Sequence, residues 1–362
     1  MPENQSIKIP AHHNIYTGYS NRELRIDFSV PEKGTNENTG ILLLAPGFGG
    51  NIDSNVYKKM RETFAEKYNL VTVQCEYFGS EFMQSTTSFK LKSNLEQLLI
   101  SLSPEERNII GNDTAKLFDI LSNKKINLPV MADIKETNDY FNDMGYMQAI
   151  DIITSIEAIR IILKDNNFIF NEKKIIGYGH SHGAYLIHLS NRLAPHLFSH
   201  IIDNSAWIEP VYLTANRYLF QKYGEMILQI EFDYFAKEII EDKQSLNLFT
   251  VYNDFNNVAK IISFQGNNDN LINHSEKEKL IKSIPGTKFI LVDEKRVDGQ
   301  IFKSNKHGLD ADFLTMFDCG VKELGVHLND IDLSTKYEIT LSNTMIQVDY
   351  SRGLPIFNRR LL

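Results

Sequence analysis

Six short apolar runs recur along the chain: ILLLA (41–45), LVTVQC (70–75), KIIGYG (174–179), HIID (200–203), KIISFQG (260–266) and KFILVD (288–293). Each is bounded by polar residues or glycine and is apolar at successive positions, the pattern of a strand covered on both faces. Helical spacing lies between them. In 54–67 the apolar positions are Val56, Met60, Phe64 and Ala65; in 143–164 they are Tyr146, Ile150, Ile153, Ile156, Ile159 and Ile162. Strands alternating with helices in this way predict an α/β chain, with a mostly parallel central sheet and helices on both faces.

Two stretches interrupt the alternation. Residues 80–140 hold no strand pattern, but Ser103-Pro104-Glu105-Glu106 combines an N-cap, a first-turn proline and a capping-box glutamate. This predicts a helix of about 15 residues running into AKLFDIL. Residues 208–256 are dense in aromatics, among them Tyr212, Tyr218, Phe220, Tyr223, Phe232, Tyr234 and Phe235. Both stretches read as insertions on a sheet scaffold, the second as an aromatic-rich lid. Residues 6–30 alternate like an edge hairpin, and KYEITLSNTMIQVDY (336–350) alternates about Ser342-Asn343 as another. A length of 362 residues suits one large domain with insertions. The expected organisation is a catalytic domain over 1–330, with a helical insertion at 80–140 and a lid at 208–256, then a C-terminal β-hairpin appendage at 331–362.

The net charge is −8, so neither nucleic acid nor a membrane surface is an expected partner. Two cysteines, Cys75 and Cys319, imply no disulfide framework and read as structural thiols. The opening MPENQSIKIPAHHN shows no leader pattern, and no apolar run approaches ~18 residues, which gives the expectation of a cytoplasmic protein.

The chemistry-bearing motif is Gly179-His180-Ser181-His182-Gly183, a G-x-S-x-G that follows a strand pattern and opens a helical one. A serine hydroxyl is a weak nucleophile and must be held exposed beside a base. A sharp strand-to-helix turn does this at the cost of a strained backbone at Ser181 and close chain approach at both glycines. The competing reading is a glycine-rich turn with an ordinary serine.

At these residues the chain resembles the α/β-hydrolase fold family, over about residues 25–325. The resemblance implies about eight strands and a triad in the order nucleophile, acid, histidine. Asp269, in the Asn267-Asn268-Asp269-Asn270 turn after KIISFQG, is the implied acid, with Asp203 after HII as the alternative. His307, in Lys306-His307-Gly308 after the last strand, is the implied base. The backbone N–H of His182 and that of Phe48, in Pro46-Gly47-Phe48-Gly49-Gly50, are the implied oxyanion donors, with Gly47 second. Trp207, at the start of the lid region, and Tyr212 are substrate-binding candidates, although Trp207 also reads as core. His180 and His182 form an H-x-H pair, but no further ligands stand nearby, so no metal is expected, nor any cofactor.

The expected activity is hydrolysis of a carboxylic ester, on a small molecule or a saccharide, through an acyl-enzyme on Ser181. An acyltransferase using the same triad with a sugar acceptor is the alternative, and a hydrolase-like binding protein without catalysis is a third reading. Through APGFGGN and GYGHSHGAYL the chain also resembles a family encoded near flagellin-glycosylation genes of flagellated Gram-negative bacteria. That resemblance implies a role in adding or removing an acyl group on nonulosonic sugars.

Overall fold

Apolar runs flanked by glycine and polar residues become buried parallel strands. A computed structural model describes residues 2–86, 88–92, 94–100, 102–112 and 116–362. Its central sheet consists of β1 (Glu3–Pro10), β2 (Glu23–Val30), β3 (Gly40–Ala45), β4 (Leu70–Cys75), β5 (Ile175–His180), β6 (His200–Asn204), β7 (Lys260–Gly266) and β8 (Thr287–Val292). The spatial order is β1-β2-β4-β3-β5-β6-β7-β8. β2 pairs antiparallel with β1 and β4, and the remaining neighbours pair parallel. Every residue of β3, β4 and β6 is buried, as strands covered on both faces require.

The register aligns the strand ends that matter. Ala45 lies opposite Gly179, and Gly179 opposite Asp203. The turns leaving β3, β5, β6 and β7 therefore emerge along one edge of the sheet, where crevices of such sheets form.

Helices cover the faces. In Asn55–Tyr68, the Ser54 hydroxyl accepts the Tyr57 N–H, and Asn69 ends the helix in left-handed conformation at φ 51°. Its buried face is Tyr57, Met60, Phe64 and Ala65; Val56 points outward at 53% exposure. The expected apolar face was thus one residue out of step at its first turn, because Tyr57 completes the i, i+3, i+7 stripe better than Val56. Helix Tyr146–Asp165 is buried along most of its length. Phe64, Tyr178, Ile202, Phe264, Met316 and Phe317 belong to one apolar cluster on the sheet.

The chain divides into two compact units: Met1–Ser80, Asp143–Pro210 and Ile240–Leu362 form the first, and Glu81–Asn142 with Val211–Ile239 form the second. The first contains the eight-stranded sheet. It also contains a three-stranded antiparallel sheet of Lys336–Leu341, Thr344–Asp349 and Ile356–Leu361. The expected C-terminal hairpin therefore has a third strand, which pairs with Thr344–Asp349.

The second unit corrects the reading of two separate insertions. Phe89–Leu91, Asn127–Ala132, Met226–Phe232 and Arg217–Tyr223 make one four-stranded sheet in that order. Residues 80–140 do hold strands, and 208–256 is not one lid, since 240–256 folds with the first unit. Pro129 hides the strand in NLPVMA, because proline interrupts the pattern by which strands are read. Phe232 and Tyr234 are buried, whereas Tyr218, Phe220 and Tyr223 are exposed. The capping box forms as expected: the Ser103 hydroxyl accepts the Glu106 N–H at 3.2 Å, and the Glu106 carboxylate accepts the Ser103 N–H at 2.8 Å. Helices run over Pro104–Asn112 and Lys116–Ser122; the continuity expected across 113–115 lies outside the described residues. Among the described residues no helix is long and apolar enough to cross a membrane.

Candidate active site

Ser181 stands where β5 gives way to the helix His182–Leu193, at φ 53° and ψ −121°. A non-glycine residue rarely takes this conformation, and it must be held there by its surroundings. The Ser181 N–H donates to the Asn204 carbonyl at 2.7 Å, tying the turn to the end of β6. A Cβ at Gly183 would overlap the carbonyl oxygens of Ala45 and Pro46, and one at Gly179 would overlap the backbone of Ala184. The two glycines of the motif are therefore demanded by close approach of the chain.

The Ser181 Oγ lies 2.7 Å from His307 Nε2, and His307 Nδ1 lies 2.8 Å from Asp269 Oδ2. The three residues expected from separate parts of the chain form one hydrogen-bonded line. Ser181 is 7% exposed, and the Asp269 side chain is inaccessible. Burial pushes the Asp269 carboxyl up, but hydrogen bonds from His307, the Leu271 N–H and Gln265 outweigh it and hold the group below its usual range. With Asp269 ionised, His307 carries its proton on Nδ1 and presents Nε2 as an acceptor to the serine.

Asp203, the alternative acid, is engaged elsewhere. Its Oδ2 lies 2.8 Å from Lys277 Nζ and 3.1 Å from His188 Nε2, and its Oδ1 accepts the Ala206 N–H at 2.7 Å. Burial opposes ionisation of Asp203, but the Lys277 ammonium holds its carboxyl well below the usual range. This pair fixes the segment leaving β6, where Ser205 takes φ 56° and accepts the Gly308 N–H at 3.2 Å.

His182 opens its helix, so its N–H has no carbonyl four residues back within the helix. Phe48 packs over it, its ring 5.4 Å from the His182 ring and 5.4 Å from that of Trp207. Two tyrosines pin the preceding turn. The Tyr77 hydroxyl donates to the Pro46 carbonyl at 3.2 Å, and the Gly47 N–H faces the Tyr57 hydroxyl.

Both histidines of the H-x-H pair are hydrogen-bonded. His182 Nε2 donates to Gln148 Oε1 at 2.7 Å, and burial lowers its pKa to about 3. His180 Nδ1 accepts from Asn204 Nδ2 at 2.9 Å, and burial, with His307 nearby, lowers its pKa to about 4. His180 is instead a spacer: a Cβ would lie 3.0 Å from its ring at Gly47 and 2.7 Å at Gly308. Trp207 is 1% exposed. Its ring lies 4.6 Å from that of His182. Tyr212 belongs to the second unit, with its ring 6.1 Å from Tyr234.

Gln265, Asn204 and Gln148 support this site and were not singled out from sequence. The signal available for Gln265 and Asn204 was a polar residue near the end of an otherwise apolar strand.

Among solved structures, the acylaminoacyl peptidase of Pyrococcus horikoshii is similar at a TM-score of 0.50 and 14% identity, over 92% of this chain and 43% of that one. Est1E from Butyrivibrio proteoclasticus, with ferulic acid bound, is similar at 0.46 and 11% identity, over 83% and 94%. One of two fungal esterases from Rhizomucor miehei is similar at 0.46 and 14% identity, over 89% and 83%. This chain has the α/β-hydrolase fold. No curated protein matches it by sequence. The family described as "Protein of unknown function (DUF2920)" matches residues 8–285.

Proposed function

We propose that this chain, which belongs to the DUF2920 family of proteins of unknown function, is a serine hydrolase that cleaves a carboxylic ester. The observation that carries the reading is the unbroken line Ser181–His307–Asp269, with contacts of 2.7 and 2.8 Å, on a strained strand-to-helix turn. A strained serine aligned with an oriented histidine is the arrangement acyl transfer needs.

In this reading Ser181 Oγ attacks the ester carbon while His307 Nε2 takes its proton. The oxyanion is received by the N–H groups of His182 and Phe48. His307 then returns the proton to the departing alcohol, leaving an acyl group on Ser181. Water gives a proton to His307 and attacks the acyl carbon; the bond to Ser181 Oγ breaks, the carboxylic acid leaves, and His307 returns the proton to the serine. Asp269 keeps the imidazole in the required tautomer and offsets its charge. The substrate is a small-molecule or saccharide ester.

A fluorophosphonate probe tests the nucleophile directly. It is expected to label the wild type and not Ser181→Ala, and p-nitrophenyl acetate turnover should disappear with the label. Equal labelling of both proteins overturns the assignment. Adding a sugar acceptor and analysing products separates release to water from transfer to a hydroxyl.

A further inference from the structure

A cavity lies at the end of the central sheet away from Ser181. Lys174, just before β5, and His200, at the start of β6, line it with Ile176 and Ile202, and Val321 and Leu324 of the helix Phe313–Leu324 form another wall. Its volume is about 440 Å³, within the range of small-molecule sites. Lys174 precedes β5 and Ser181 follows it, so about 20 Å of strand separates the cavity from the serine.

Lys174 is the one ammonium among these residues, and its position is built. Its stem lies across Gly40: a Cβ there would come within 2.8 Å of Lys174 Cγ and 2.6 Å of its carbonyl oxygen. Lys174 Nζ donates to the Asn38 carbonyl at 3.0 Å. Among the described residues it forms no ion pair, whereas its neighbour Lys173 meets Asp330 at 2.7 Å. Burial lowers the pKa of the Lys174 ammonium. A cation partly withdrawn from water and facing only a neutral carbonyl lacks a counter-charge. The histidine on the same wall is already engaged. His200 Nε2 donates to the Gly325 carbonyl at 3.1 Å, and its Nδ1 lies 2.9 Å from Ser199 Oγ, which donates to the Ile175 carbonyl.

We propose that this cavity binds a small aliphatic carboxylate, its chain among Ile176, Ile202, Val321 and Leu324 and its head group on Lys174 Nζ. Charge complementarity selects the head group and the apolar walls select the tail. The site is independent of the reading of Ser181.

Calorimetric titration of the full chain with octanoate tests it. The wild type is expected to bind octanoate, and octan-1-ol at least about tenfold more weakly, as a lost charge-assisted hydrogen bond implies. Lys174→Gln should weaken octanoate by a similar factor, and Val321→Phe, which fills the cavity without touching the charge, should also weaken it. Thermal melts identify any variant that fails to fold, and the other variant then carries the test. Ser181→Ala should bind as the wild type does. No binding to folded wild type, equal binding of the alcohol, or undiminished binding by folded Lys174→Gln overturns the proposal. So does loss of binding in Ser181→Ala, which would place the ligand at the serine.

Discussion

Gln265 and His307 donate to the same oxygen of Asp269, from 2.7 Å and 2.8 Å respectively. Gln265 is fully buried in β7, and among the described residues its Oε1 has no hydrogen-bond partner. Its Nε2 also donates to the Gly266 carbonyl at 3.3 Å, so the carboxylate takes the shorter of its two bonds.

Gln265→Leu keeps the volume and removes that donor. Without that donor the Asp269 carboxyl rises toward its usual range and orients His307 less firmly. Turnover should fall by about tenfold, in line with one hydrogen bond to a charged group. Steady-state kinetics on a p-nitrophenyl ester check this; an unchanged kcat would reduce Gln265 to packing.

Asp269→Asn and Asp203→Asn should fail in different ways. The first is expected to lower p-nitrophenyl ester turnover by on the order of 10⁴-fold while melting near the wild type. The second leaves the Lys277 ammonium buried without its carboxylate and should cost about 3–5 kcal/mol of stability. Asp203 is held below its unfolded pKa of ~3.9, so its contribution is present above that pH and is lost as pH falls. The stability gap between the wild type and Asp203→Asn should close on acidification, as read by denaturant melts.

Asp143 carries the opposite sign. Burial raises its carboxyl to about 7, against hydrogen bonds from Met147, Gly145 and Tyr16, while the unfolded value is ~3.9. Folding therefore favours the protonated form, and stability drains away as pH rises between those two values. Asp143→Asn is expected to stabilise the chain by about 2–4 kcal/mol at pH 8 and to change little near pH 4. Urea melts at the two pH values decide it.

Gly183→Ala places a Cβ on two main-chain oxygens that cannot rotate away. A loss of more than about 2 kcal/mol, or failure to accumulate folded protein, is expected. A thermal melt within a degree or two of the wild type would show that the turn relaxes.

The legible parts of the fold share one property. β3, β4 and β6 are buried on both faces, so their sequences are apolar throughout and their bounds are recovered to within a residue or so. Ser181 was legible because its turn has steric demands that only glycine meets, whereas Asp269 and His307 came from the order that the resemblance implies. What sequence concealed depends on pairing. Met226–Phe232 shows its role only beside Asn127–Ala132, almost a hundred positions earlier. Lys277 looks like any helix lysine until Asp203 and the Ala206 carbonyl, at 2.8 and 3.0 Å, claim it. Trp207 was read as open to either of two roles; it is buried and packs on His182.

The second unit's sheet is assembled from two segments that enter the chain at different points, with Asn127–Ala132 paired on one side by Phe89–Leu91 and on the other by Met226–Phe232. Deleting 211–239 alone would strip one full side of that strand and leave a row of unpaired backbone groups, an invitation to aggregation. The two segments are consequently one sheet written in two places. Grafting, trimming or exchanging this part of the protein has to treat both as one piece.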